Sequence, residues 1–195
     1  MEVLEGLGRD LTVGHLVDGL DADDPSAAAL VRLAAAHPGP VFIRAGRVKC
    51  PVIYSPGQKF EIGKAVQLMD GTDVTLIATG LLVAESIRAA EALGAEGISA
   101  RVIDIHTIKP IDREAIAKAA AETGAIVVSE EHLVDSGLGV RVAQVVAETN
   151  PCPIEFLGID NRYAESGTPE ALLEKYGMVA RNVVATAKRV LARKK

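Results

Sequence analysis

The most regular hydrophobic patterning lies between Asp70 and Asp112. Val74–Ala78 is a short apolar run containing β-branched residues, and it stops at Thr79-Gly80, where the chain must turn. Val83, Ile87, Ala90 and Leu93 follow at spacings of four, three and three, which places them on one helical face. Gly94 and Gly97 end that helix, and Ala100–Ile105 is a second apolar run of strand length. Strand, helix and strand with short glycine-marked joints predict a βαβ unit, whose strands lie parallel through a right-handed crossover. Everything C-terminal of the unit is expected to extend the same sheet.

The rest of the chain falls into place around this unit. His106–Pro110 reads as a connection, after which Asp112 caps a helix over Arg113–Glu122 with Ala115, Ile116 and Ala119 facing inward. Gly124 stops it. Ala125–Ser129 is apolar throughout, as a central strand buried on both faces should be, with Glu130-Glu131-His132 at its C-terminal end. Gly137 and Gly139 open a helix on which Leu138, Val142, Val145, Val146 and Thr149 share a face, and Ile154–Leu157 is the next strand. A short helix at Pro169–Tyr176 and a longer one from Met178 follow, the latter striped by Val179, Val183, Ala187, Val190 and Leu191.

Upstream, Leu11–Val13 and Val41–Arg44 are strand-like. Between them Asp24-Pro25-Ser26 starts a helix that runs through Ala27–Ala36 and ends at His37-Pro38-Gly39-Pro40. The predicted class is α/β: a mostly parallel open sheet with helices on both faces, preceded by a fragment of a second α/β domain. The boundaries are 1–47 for the fragment, 48–63 for a linker broken by Pro51 and Pro56-Gly57, and 64–195 for the sheet domain.

Composition narrows the function classes. With no Trp, three Tyr, three Phe and a net charge of −5, the chain lacks both a base-stacking surface and a general attraction to phosphate backbones. Nucleic acid and anionic membrane are therefore disfavoured as partners. Cys50 and Cys152 each neighbour a proline, far apart and outside any metal-ligand spacing, and read as buried or incidental thiols. The first residues carry neither a basic start nor an apolar run, and no stretch approaches the roughly 20 apolar residues of a membrane span. A soluble, cytoplasmic protein is expected.

Several groups could carry chemistry. Glu130, Glu131 and His132 sit where open parallel sheets place ligands, yet their charges suit a helix N-terminus or a subunit contact equally well. His106 and Lys109 precede a proline turn and read as contacts to a neighbouring domain. Gly137-Leu138-Gly139 could cradle a phosphate through backbone N–H groups, but it lacks a full glycine fingerprint, so a nucleotide-binding sheet domain is a weak third reading. Asp70-Gly71-Thr72-Asp73 is a turn before a strand. Alternation along Val41–Arg44 turns Arg44 toward an ion pair within the molecule or across an interface.

The pieces GPVFIRAGR (Gly39–Arg47), HTIKPID (His106–Asp112) and SEEH (Ser129–His132), in this order, closely resemble the C-terminal part of transketolases, particularly the C-terminal subunit of the two-gene type. The resemblance implies that 1–47 is the remnant of a pyrimidine-binding domain and 64–195 the transketolase C-terminal domain. It implies a component of an enzyme that moves a two-carbon ketol unit between sugar phosphates, in the setting of pentose phosphate metabolism, using thiamine diphosphate and Mg bound mainly by other domains or subunits. The glutamate, stacking aromatic and His/Asp loop that such enzymes use belong upstream of this chain, and it has no Gly-Asp-Gly metal motif. The resemblance therefore implies no catalytic, cofactor-binding or metal-binding residue in this chain. Arg47 alone carries over, as the arginine that binds the substrate phosphate through its guanidinium fork. Ser136 stands where the family has the first glycine of Gly-Gly-Leu-Gly, and with Asp135 it sets acidic character against an anion. The implied partners are an N-terminal transketolase subunit or the missing catalytic domains, in a homodimer or hetero-oligomer, with the isolated chain inactive. The alternative is a non-catalytic assembly or regulatory module derived from the same domain.

Overall fold

The computed structural model describes residues 12–15, 25–45, 51–55 and 57–194. A five-stranded sheet runs in the order β3 (Val66–Met69), β5 (Ala100–Asp104), β4 (Val74–Ala78), β7 (Ile126–Leu133) and β8 (Ile154–Ile159). Its centre is the expected unit: β4 (Val74–Ala78), helix α2 (Leu82–Ala95) and β5 (Ala100–Asp104), the two strands parallel from Val74↔Ala100 to Ala78↔Asp104. Parallel strands β7 (Ile126–Leu133) and β8 (Ile154–Ile159) extend it on one side, each reached through a helix, α3 (Arg113–Thr123) and α4 (Leu138–Glu148).

Alternation along the strands sends side chains to two separate cores. Val74, Leu76, Val102 and Val127 pack with α2 and with the last helix, α6 (Ala180–Ala192), while Ile77, Ile103, Ile126 and Val128 pack with α3 and α4. Each such fully buried aliphatic side chain contributes ~1.5–3 kcal/mol, which is why all five positions of β4 are apolar or internally bonded. Thr75 illustrates the second case, its Oγ1 lying 2.9 Å from that of Thr123. On α6 the buried stripe is Val183, Thr186, Ala187 and Val190, with Val179 just before the helix and Leu191 half-buried. The short helix α5 (Pro169–Lys175) is capped by Thr168, whose Oγ1 accepts from Ala171 N–H.

Three features depart from the sequence reading. Val66–Met69 is a strand, β3, antiparallel to β5 at the sheet edge. It is only four residues long, with an exposed Gln67 inside it, so its alternation carries little signal. Second, the connection His106–Pro110 contains β6 (Thr107–Lys109), which does not extend the main sheet. It pairs antiparallel with β1 (Thr12–His15), giving a separate three-stranded sheet of order β2-β1-β6. β1, helix α1 (Pro25–Ala36) and β2 (Val41–Arg44) form a second parallel βαβ unit, with Ala27 and Leu30 of α1 packed on Ile43 and Phe60. Third, β7 continues to Leu133, so Glu130-Glu131-His132 lie within the strand rather than beyond it.

Asp112 ties the start of α3 to the entry of β3. Its Oδ1 accepts from Ala115 N–H at 3.0 Å, capping α3 as expected, and its Oδ2 accepts from Ala65 N–H at 2.9 Å, holding the entry to β3.

Candidate functional site

The polar groups singled out in the sequence gather at the carboxyl end of the parallel strands. Glu130 is 3% exposed. Its Oε2 accepts from Leu138 N–H at 2.7 Å and its Oε1 from Gly139 N–H at 2.8 Å, so the carboxylate occupies the N-terminus of α4. Those N–H groups have no partner inside the helix, and the helix dipole favours an anion there. Gly137 is required by this contact, and Gly139 by the Phe156 ring. A Cβ on Gly137 would lie 1.9 Å from Glu130 Oε2, and one on Gly139 would lie 2.7 Å from Phe156 Cδ1. The anion that Gly137-Leu138-Gly139 could cradle is the protein's own side chain, which realises the structural reading of Glu130 over the phosphate-loop reading.

Glu131 points elsewhere. Its carboxylate pairs with Arg44 at 3.7 Å and its carbonyl accepts from the same guanidinium at 3.2 Å, joining the end of β2 to β7. Arg44 thus makes the intramolecular ion pair expected of it. Half-exposed, the pair contributes within the usual ~0.2–1 kcal/mol of surface ion pairs. Lys109 meets the N-terminal segment through its main chain, opposite Val13. Beside Glu130, a cleft of about 260 Å³ is lined by Lys109, His132, Ser136 and Arg141. Its cations can hold an anion by charge. Among the described residues no trio of His, Cys, Asp or Glu is placed to bind a metal.

His106 is fully buried. Its Nδ1 lies 3.0 Å from Thr107 Oγ1 and its ring meets the Phe60 ring edge-on at 5.4 Å. Burial pushes the imidazole down to about 4, with the Lys64 backbone pulling weakly upward. Two residues earlier Asp104 is also fully buried and accepts a hydrogen bond from the Tyr54 hydroxyl. Burial pushes its carboxyl up to about 7 against the lowering effect of that bond. The sequence reading missed Asp104. Its one signal was an acidic residue in ARVIDI, apolar but for Arg101, in a strand that both helical layers cover.

The remaining candidates are structural or lie elsewhere. Asp73 Oδ2 accepts from Ser99 N–H at 2.7 Å, and Gly71 packs so closely on β5 that a Cβ would sit 2.2 Å from Ala100 C, which makes Asp70–Asp73 a turn. Cys152 is half-buried, its thiol pushed up by burial, in a cleft of about 800 Å³ at the opposite end of the sheet beside Arg193 and Lys194. Arg47 and Cys50 lie outside the described residues.

Comparison with known proteins decides what this arrangement belongs to. Residues 63–183 match the family model "Transketolase, C-terminal domain". The chain is a member of the transketolase C-terminal domain family. It is 39% identical over 190 residues to the 6-deoxy-6-sulfo-D-fructose transketolase subunit SqwH of Clostridium sp. (strain MSTE9), covering 95% of this chain and 59% of that protein. To an apulose-4-phosphate transketolase subunit of Phocaeicola vulgatus it is 40% identical over 169 residues, covering 86% and 54%. A solved structure described as a split gene transketolase, inactive β4 tetramer, superposes with a TM-score of 0.90 at 44% identity, over 95% of this chain and 59% of that one. The chain thus spans a little over half the length of these relatives, and its α/β fold is that of the family.

Transketolases imply thiamine diphosphate. At the glycine-opened start of α4 the N–H groups that could meet a diphosphate are taken by Glu130, and among the described residues no trio of His, Cys, Asp or Glu is placed to hold a metal beside it. No helix among the described residues is long and apolar enough to cross a membrane.

Proposed function

We propose that this chain is the C-terminal component of a split transketolase, which in the complete assembly transfers a two-carbon ketol unit between sugar phosphates. The observation that carries the proposal is the 39% identity over 95% of the chain to a protein named as a transketolase subunit. In this reading residues 1–47 are the end of a pyrimidine-binding domain, 48–63 a linker and 64–195 the C-terminal domain. Thiamine diphosphate, when bound in the assembly, supplies the carbanion chemistry, and it is held mainly by an N-terminal subunit or other domains. Arg47 binds the phosphate of the sugar, since a guanidinium fork matches two phosphate oxygens. Its contribution is supported by the resemblance of Gly39–Arg47 to the family motif.

The test is reconstitution. The chain is mixed with the subunit that supplies the remaining domains, and ketol transfer is followed with a coupled dehydrogenase. Turnover is expected only in the mixture, and Arg47→Ala should raise KM for phosphorylated sugars at least tenfold, the loss of one charge-assisted contact of about 1.5–3 kcal/mol. If the parts assemble without turnover, the second reading holds: a non-catalytic assembly module, which the description of the solved neighbour as inactive keeps open.

A further inference from the structure

The two buried ionisable groups beneath Tyr54 and Phe60 take no part in that reading, and their placement is specific. Asp104 ends β5, and His106 immediately precedes β6, the strand that pairs with β1. Phe60 is the shared contact. It packs on Ala27 and Leu30 of the N-terminal unit on one side, and meets the His106 ring at 5.4 Å and the Tyr54 ring at 4.8 Å on the other. Tyr54, 6% exposed, donates its hydroxyl to Asp104 Oδ2. The stretch carrying both aromatics therefore fastens the N-terminal βαβ unit to the carboxyl end of the main sheet, and it does so on an acid and a base.

Charge on either group is opposed in the fastened state. Asp104 Oδ1 and His106 Nε2 have no hydrogen-bond partner among the described residues. In the sheet Asp104 is flanked by Ala78 of β4 and Val66 of β3, neither of which carries charge. From the covering stretch the groups that act on the pair are the Tyr54 hydroxyl and the Lys64 backbone, and the Lys64 ammonium is turned to Glu114 at 3.5 Å. Thr107 supplies a hydroxyl to the imidazole. Each group therefore favours its neutral form when covered and its charged form when exposed to water.

We propose that Tyr54 and Phe60 form a proton-balanced clamp: seating them buries Asp104 as a carboxylic acid and His106 as a neutral imidazole, so that the proton the histidine gives up is matched by the one the aspartate takes. With the clamp open in mild acid, the pair is carboxylate and imidazolium; with it seated, acid and imidazole. Each state holds one proton, the exchange passes through solvent, and no net uptake accompanies seating. The clamp keeps its grip as pH changes. The sign for each group alone is opposite. Asp104, raised from 3.8 to about 7 on burial, favours the seated state most at low pH and loses that preference as pH rises toward 7. His106, lowered from 6.5 to about 4, favours the seated state most above 6.5 and loses it as pH falls toward 4.

The test is hydrogen exchange of the stretch 51–65 in the full chain, corrected for intrinsic rates, between about pH 4.5 and 6.5. One uncompensated proton shifts the opening equilibrium about tenfold per pH unit, so roughly 100-fold across that range. Wild type should change by less than about threefold, well under one uncompensated proton. Asp104→Asn should open more in acid and His106→Gln more toward neutrality, each approaching the 100-fold figure. A steep slope in wild type, or slopes of the same sign in the two variants, would overturn the proposal. Should either variant fail to fold, NMR titration of wild type decides. The Asp104 carboxyl must titrate near 7 and the His106 ring must stay neutral to about pH 5, and ordinary values for either sink the clamp.

Discussion

Removing the Glu130 carboxylate should destabilise the chain severely, and adding a methyl group at Gly137 should do the same by a different route. Glu130→Ala leaves the Leu138 and Gly139 N–H groups, now bonded at 2.7 and 2.8 Å, without an acceptor in a buried setting. Each orphaned donor costs ~1–3 kcal/mol, and loss of the anion at the helix dipole adds ~0.3–1, for about 2–7 kcal/mol together. Glu130→Gln keeps one carbonyl oxygen for one N–H and opposes its amide to the other, so about half that loss is expected. Gly137→Ala introduces a Cβ 1.9 Å from Oε2 and forces the carboxylate out, although the backbone at φ −100° accepts alanine. Its cost in wild type should approach that of Glu130→Ala, but in a Glu130→Ala background it should fall below about 1 kcal/mol, because the clash no longer exists. Urea unfolding of wild type, the two single variants and the double variant gives the coupling energy, and exchange of the Leu138 and Gly139 amides reports the local loss. Additive effects of the two substitutions, or unchanged protection at those amides in Glu130→Gln, would refute this account of the α4 N-terminus.

Three further outcomes follow from the packing. Asp112→Ala should cost ~1.5–3 kcal/mol in urea unfolding, by losing both the α3 cap and the Ala65 anchor, and Asp112→Asn less than half of it. Gly71→Ala should lower Tm by at least several degrees, since the added Cβ meets the Ala100 and Arg101 backbone at 2.2 Å and main-chain atoms cannot rotate away. Cys152 should alkylate more slowly than free cysteine at pH 8, because burial keeps its thiol protonated; mass spectrometry of the modified peptide measures this, and a faster rate would contradict it.

The contrast between β4 and β6 shows what is legible in a chain of this kind. β4, α2 and β5 were readable because α2 is long enough for its period to appear and because both faces of the sheet are covered, which makes β4 apolar but for Thr75 and gives β5 an apolar Val102-Ile103 centre. β6 is three residues, Thr107-Ile108-Lys109, and pairs with a strand more than ninety residues earlier. Nothing local marks such a pairing, since its hydrogen bonds are supplied by backbone that every residue has. Glu130 was legible as a charge at a strand end that a helix N-terminus could use, but not as the carboxylate that fills the start of α4. Its meaning depends on how far β7 runs and on two glycines seven and nine residues on.

Local chemistry along the chain was enough to settle the class of fold, the parallel βαβ centre, the Asp112 cap and the two helical layers, because these rest on side-chain period and turn residues acting over a few positions. Three-dimensional packing decided the rest: that the N-terminal unit pairs with β6, that an apolar run hides a protonatable aspartate under Tyr54, and that the inviting glycine loop is already full. Those outcomes depend on which distant groups share a space and how little water reaches them, quantities that no stretch of sequence carries by itself.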